Sequence, residues 1–323
     1  MKQLKAPFPW FGGKSKVASV VWQRFGMVDN YVEPFFGSGA MLLGRPSEHF
    51  CVETVNDKDG WLTNFWRAVK NDPVQVAHYA DWPVNEVDLA ARRDWLFAQD
   101  GHIERMNRDP DYYDCKLAGI WVWGVSSTIG NAWGKKSTHL DAGMGVHRAR
   151  THLGAGRGVH RARTHLGDAG RGVHRASTHL GNAGRGVALA EYFTALSIRL
   201  ERVRVMCGDW KRVTSPTVTT HNGLTAMFLD PPYLDNCTAT YNHNDDVRSE
   251  VREYCLANGG KMRIALCGYE GEHDMLSDWD VHVWKASGGY GNQSNKAGRE
   301  NCKRERIWFS PACINQVELE LGL

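Results

Sequence analysis

The stretch "TAMFLDPPY", Thr225 to Tyr233, limits the possible folds more than any other part of the chain. A short apolar run reads as a buried strand. Two prolines cannot continue a central strand, because each lacks the N–H that the ladder requires. The strand therefore stops at Asp230 and delivers an acid and an aromatic residue at its carboxyl end.

The rest of the chain supplies strands of the same kind with helices between them. "NYVEPFFGSGAMLLG" reads as a strand, a glycine turn and the start of a helix, and "VNDKDGWLTNFWRAVK" as a strand end and an amphipathic helix. Residues 85–99 and 111–125 have helical spacing, as does "LAEYFTALSIRLERV"; "RVMCGDW" reads as a strand with a polar end. After "TAMFLD" come a helix near 247–258 and the strands "KMRIALCG", "DVHVWKA" and "RERIWFS". Such alternation predicts an α/β protein with a Rossmann-like, doubly wound, mostly parallel sheet. Sheets of this type bind ligands at the carboxyl ends of their strands, where Asp230 is expected.

Several classes are excluded early. No run of 18 apolar residues is present, so no membrane span is expected, and "MKQLKAPFPW" has no apolar core for a signal peptide. The eight cysteines include no Cys-x-x-Cys pair, which argues against zinc and fits reduced, cytosolic thiols. "FGGKSK" suggests a phosphate-binding loop, but that loop needs a glycine where this chain has Phe8.

Two local patterns point to a nucleotide cofactor. Gly37 and Gly39 follow an apolar strand, where small residues let a ligand approach the backbone. No third glycine follows at Leu42, so the dinucleotide pattern is incomplete. Asp57 ends the next strand, a place where an acid commonly holds ribose hydroxyls. A helix cap is the other reading of Asp57, as a solvated helix start is of Lys14.

Residues 137–187 form a different kind of sequence. Copies of 13 to 14 residues follow one another: "GVHRARTHLGAGR", "GVHRARTHLGDAGR" and "GVHRASTHLGNAGR". Within 145–185 stand eight arginines, Arg148, Arg150, Arg157, Arg161, Arg163, Arg171, Arg175 and Arg185, with six histidines and one acid, Asp168. In a chain of net charge +3 this concentration is local. It reads either as a solvated duplication or as a surface that meets a polyanion.

Taken together, the motifs resemble the DNA adenine-N6 methyltransferases of the Dam-like, D12 class. "PWFGGKSK" looks like that family's N-terminal motif, "YVEPFFGSGA" its cofactor motif, "VNDKD" its ribose-binding acid, "GDW" its Asp-Phe pair and "DPPY" its catalytic motif. "IALCGYE" and "NCKRERIWFSP" resemble its later strands. Phe11 stands where alanine is usual and Trp210 where phenylalanine is usual.

The resemblance implies S-adenosylmethionine as cofactor and N6 of a flipped adenine as acceptor. It implies cofactor contacts from Trp10, Phe11, Gly12, Lys14, Glu33, Pro34, Phe36, Gly37, Gly39, Asp57, Asp209, Trp210 and Asp230. Asp230 and the Pro231 carbonyl would accept from the target amine, Pro232 would fix the backbone, and Tyr233 would stack on the base. No metal is implied. A catalytic domain of 1–84 and 188–323 and a target-recognition region of 85–187 follow, in a cytoplasmic bacterial protein, monomeric or homodimeric. A phage or prophage origin, and a partnership with a nuclease or solitary action, are all compatible with the resemblance. An RNA adenine methyltransferase or a non-catalytic nucleic-acid-binding protein is the alternative. A zinc deaminase would need the absent Cys-x-x-Cys, and a protein-amide methyltransferase usually has Asn in place of Asp230.

Overall fold

The computed structural model describes residues 4–8, 10, 13–47, 50–99, 101–109, 111–128, 133, 187–232, 247–284 and 304–315. Tyr233, Phe11, Gly12 and the repeats with all eight of their arginines lie outside the described residues. The chain divides into two compact units, one of residues 1–3, 10–59 and 202–323, the other of residues 4–9 and 60–201.

The first unit is a seven-stranded sheet. Its strands are β1 (Asn30–Glu33), β2 (Val52–Asp57), β3 (Val203–Cys207), β4 (Thr225–Leu229), β5 (Arg263–Tyr269), β6 (Asp280–Val283) and β7 (Glu305–Phe309). They lie in the order β3-β2-β1-β4-β5-β7-β6. β3, β2, β1, β4 and β5 run parallel, whereas β7 is antiparallel to both β5 and β6. The sequence-based expectation of a mostly parallel α/β sheet is met.

The sheet is covered on both faces, as parallel sheets are. All of β4 is buried, which is why its sequence is apolar without alternation. On one face α1 (Ala18–Phe25) sets Trp22 against Tyr31, ring centroids 4.8 Å apart. The Trp22 Nε1–H donates to the Met41 carbonyl at 2.9 Å, which ties α1 to the short α2 (Ala40–Leu43). Residues alternate across a strand, so Val32 points the other way from Tyr31. There it joins Met227, Leu229, Ile264 and Leu266 in a core with Val251 and Cys255 of α9 (Arg248–Asn258). Each such fully buried side chain contributes about 1.5–3 kcal/mol. Edge strand β6 is more open, with Val281 and Val283 exposed.

The second unit is helical. It contains α3 (Gly60–Asn71), α4 (Pro73–Ala80), α5 (Glu86–Phe97), α6 (His102–Arg108), α7 (Cys115–Ser127) and α8 (Val187–Leu200). The spacing of apolar residues does not predict α4 or α6. α4 is nonetheless marked locally, by Asp72 accepting from the Gln75 N–H and by proline at the first turn. The helix expected over 111–125 starts instead at Cys115, because the Asp114 carboxylate accepts from the Leu117 N–H and caps it there. Phe8, Phe65, Trp66, Trp121 and Phe193 form an aromatic core. Gly119 lets α7 approach α4: a Cβ there would lie 2.4 Å from the Tyr79 Cβ. This division assigns α3, α4 and α8 to the helical unit, whereas the motifs alone suggest boundaries at 84/85 and 187/188. No described helix is long and apolar enough to cross a membrane.

Candidate active site

The strand order reverses between β1 and β4, which is where ligands sit in open α/β sheets. The motif residues collect at that end because each follows the end of a parallel strand. Pro34 to Gly39 follow β1, Asp57 ends β2, Gly208 to Trp210 follow β3, and Asp230 follows β4.

The turn after β1 is shaped by two glycines with positive φ, Gly37 at 50° and Gly39 at 68°. L side chains rarely adopt such backbone. At Gly37 the space is closed as well, since a Cβ would meet the Trp10 ring at 2.6 Å. Glu33, Pro34 and Phe36 are buried beneath the turn, while Phe35 is half-buried.

Asp57 fastens this turn to β2. Its Oδ2 accepts from the Gly37 N–H at 2.9 Å and its Oδ1 from the Asp59 N–H at 3.0 Å. Burial pushes its carboxyl up to about 6, against the pull of those backbone donors. Asn56 extends the fastening: its Nδ2 donates to the carbonyls of Pro34 at 3.1 Å and Gly208 at 3.0 Å. One side chain thus ties together the ends of β1, β2 and β3.

Asp209 is exposed, and its Oδ1 accepts from the Lys211 N–H, capping a 3₁₀ turn at Trp210–Val213. Trp210 is 4% exposed and belongs to the core. Its ring stacks on Phe35, centroids 6.2 Å apart and planes 25° apart, and meets Tyr254 edge-on. The Trp210 Nε1–H is buried with no hydrogen-bond partner among the described residues.

Asp230 is held by a cation. The Nζ of Lys14 lies 3.0 Å from its Oδ1 and 3.8 Å from Glu305 Oε2. Lys14 is 3% exposed, so it is not a solvated helix start. Burial alone would lower its ammonium, but Asp230 and Glu305 outweigh that and leave it raised. The Trp284 ring lies 5.8 Å from the same Nζ. Pro231 is buried and Pro232 half-buried. Glu33 lies behind this group. Burial raises its carboxyl well above the usual range, Asp230 and Asp57 add to the rise, and the Tyr31 hydroxyl, donating at 2.8 Å, opposes it.

Reading the motifs one by one misses four residues: Phe35, Asn56, Trp284 and Glu305. Phe35 and Asn56 sit inside recognised motifs and have a local signal, being the aromatic before Phe36 and the amide before Asp57. Glu305 has only the oddity of an acid opening an apolar strand.

These features fit a cofactor containing an adenosine. A half-buried carboxylate at β2, a glycine turn closed to a side chain at Gly37, an aromatic pair and an exposed acid at β3 line adjacent strand ends. The seven-stranded, mostly parallel α/β sheet is consistent with a fold of the methyltransferase type. Residues 10–106 match the family model of the D12 class N6 adenine-specific DNA methyltransferases. Two curated relatives, the DNA adenine methylases of the Classical Ogawa and El Tor Inaba strains of Vibrio cholerae serotype O1, are each 30% identical to this chain over 87 residues. The match covers 27% of this chain and 30% of each relative, so the chain aligns with less than a third of their length. The resemblance read from the motifs is therefore found independently over the segment that carries the Lys14, Gly37 and Asp57 motifs.

Proposed function

We propose that the protein is an adenine-specific DNA methyltransferase that modifies N6 of a flipped adenine. The observation that carries this reading is the position of Asp230. It ends a central strand beside the glycine turn and is matched by the buried Lys14 ammonium 3.0 Å away.

An exocyclic adenine amine is a poor nucleophile because its lone pair is delocalised into the ring. Asp230 and the Pro231 carbonyl accept its two hydrogens and turn the nitrogen toward a tetrahedral shape. Two consecutive prolines fix that carbonyl, so the gain comes from positioning and preorganised electrostatics. Tyr233 offers a π-face to the base. When bound, S-adenosylmethionine would supply an electrophilic methyl for the nitrogen lone pair, its sulfonium sulfur keeping the bonding pair and the nitrogen releasing one proton to water. Asp57 accepts from the ribose hydroxyls, Asp209 from the adenine amine of the cofactor, and Phe35 with Trp210 forms an aromatic wall. Trp10, Phe11, Gly12, Glu33, Pro34, Phe36, Gly37 and Gly39 complete the surround.

Residues 1–84 and 188–323 form the catalytic part in this reading, and residues 85–187 the target-recognition part. The eight arginines of the repeats contact the phosphates of double-stranded DNA. The test is methyl transfer from labelled S-adenosylmethionine to duplex DNA, RNA and protein, followed by mapping of the methylated adenines. Label in DNA adenine supports the reading. Label confined to RNA or protein, or none at all, sinks it.

A further inference from the structure

Glu305 lies in a stretch read only as a late strand, with no role in the site, yet it shares the lysine that holds Asp230. It is the first residue of β7, paired in register with Tyr269 of β5. Because β7 runs antiparallel, its first residue lies at the carboxyl end of β4 and β5. β5 separates β4 from β7 in the sheet, so Lys14 spans that strand end from Asp230 on one side to Glu305 on the other.

The two contacts differ in kind. At 3.0 Å Asp230 is within hydrogen-bond reach of the ammonium, whereas at 3.8 Å Glu305 acts through charge. The side chain of Glu305 is 6% exposed and that of Asp230 20%, so the more buried carboxylate is the one farther from the lysine. A buried charge of this kind persists only if it is compensated. The groups around Lys14 come from several elements: the carboxylates of Asp230 after β4 and Glu305 of β7, with the Trp284 ring after β6. Asp230 in turn faces Glu33 of β1.

We infer that Glu305 is a positioning residue for the transfer: by sharing the Lys14 ammonium with Asp230, it keeps that cation from being drawn wholly onto the carboxylate that receives the target amine. With both acids present, two negative charges face one positive charge among the described residues, and the surplus favours the positive charge that develops on the amine. Without Glu305 these described charges balance, the ammonium settles on Asp230, and Asp230 becomes a weaker acceptor. This rests on the reading of Asp230 as that acceptor.

The test compares the parent with Glu305→Gln and Glu305→Asp in three measurements: thermal melts, the pH profile of kcat, and titration of the Lys14 ammonium by side-chain NMR, assigned with Lys14→Arg. Glu305→Gln should lower kcat about tenfold, less than the roughly hundredfold cost of losing a direct electrostatic contact. KM for S-adenosylmethionine should stay nearly the same. The variant should gain an alkaline limb in kcat, and its Lys14 signal should titrate at lower pH than in the parent, since burial then opposes one counter-charge instead of two. Glu305→Asp should fall between the two. If Glu305→Gln does not fold, Glu305→Asp carries the same comparison. An unmoved Lys14 titration overturns the inference, whatever happens to kcat. A parent that transfers no methyl to DNA sinks the functional reading instead, while the titration still decides whether Glu305 holds the ammonium.

Discussion

Asp57 and Asp230 stand at the ends of strands two places apart in one sheet, and they are secured by opposite means. Asp57 is held by backbone N–H groups of Gly37 and Asp59, which are neutral and fixed in place. Asp230 is held by a full positive charge on a buried side chain. Backbone donors do not cancel the burial cost of a carboxylate, so the Asp57 carboxyl is pushed up to about 6. A lysine does supply a counter-charge, but only while it is itself kept in place. In the proposed function the first arrangement makes a rigid turn for binding. The second then makes an acceptor whose strength depends on neighbours contributed by distant parts of the chain.

The largest effect should come from removing the acceptor itself. Asp230→Ala should reduce methyl transfer by roughly a thousandfold while cofactor binding persists, because in the proposed function its task lies with the target amine. Near-normal turnover would erase the distinction between the two acids. Lys14→Met should cost about 3–5 kcal/mol of stability, since it strands two carboxylates beside an apolar side chain. Denaturant melts read this directly, and a melt like the parent's would show that Asp230 does not depend on its cation.

Asp57→Asn should weaken cofactor binding by roughly 1.5–3 kcal/mol, the worth of a hydrogen bond to a charged group. Calorimetry against pH sharpens the contrast. In the parent, cofactor affinity should fall as pH drops through about 6, because the protonated carboxyl accepts less well. Stability without cofactor should run the other way. A carboxyl raised in the fold makes the protein more stable when protonated, and that gain disappears as pH rises from the ordinary 3.8 to about 6. Asp57→Asn should abolish both dependences; if either survives, Asp59 or Glu33, the acids that bear on it through charge, is the titrating group.

The smallest effect on either carboxylate should come from the repeats. Deleting one copy, residues 158–171, removes Arg161, Arg163 and Arg171. The slope of log DNA affinity against log salt should become shallower by about 0.9 for each phosphate that no longer meets an arginine. Cofactor affinity should not change. Equal slopes would mean that the repeats do not touch DNA, and recognition would have to be sought in 85–136.

The amino-acid sequence by itself determined the order of the seven strands, the glycine turn, and the acids at strand ends. These are local matters. A continuous apolar run such as β4 reports burial on both faces, and Asp-Pro-Pro stops a strand wherever it falls. Helix α6 escaped because seven residues carry little periodic signal, and α7 started late because a cap at Asp114 outweighed the spacing before it. Only the tertiary structure decided who meets Asp230. Lys14 and Glu305 come from opposite ends of the chain, and nothing in either local sequence names the other. β7 happens to run antiparallel, which sends its first residue rather than its last to the active end of the sheet. A buried ammonium then fixes the grouping, because it is stable only where carboxylates have already been brought around it.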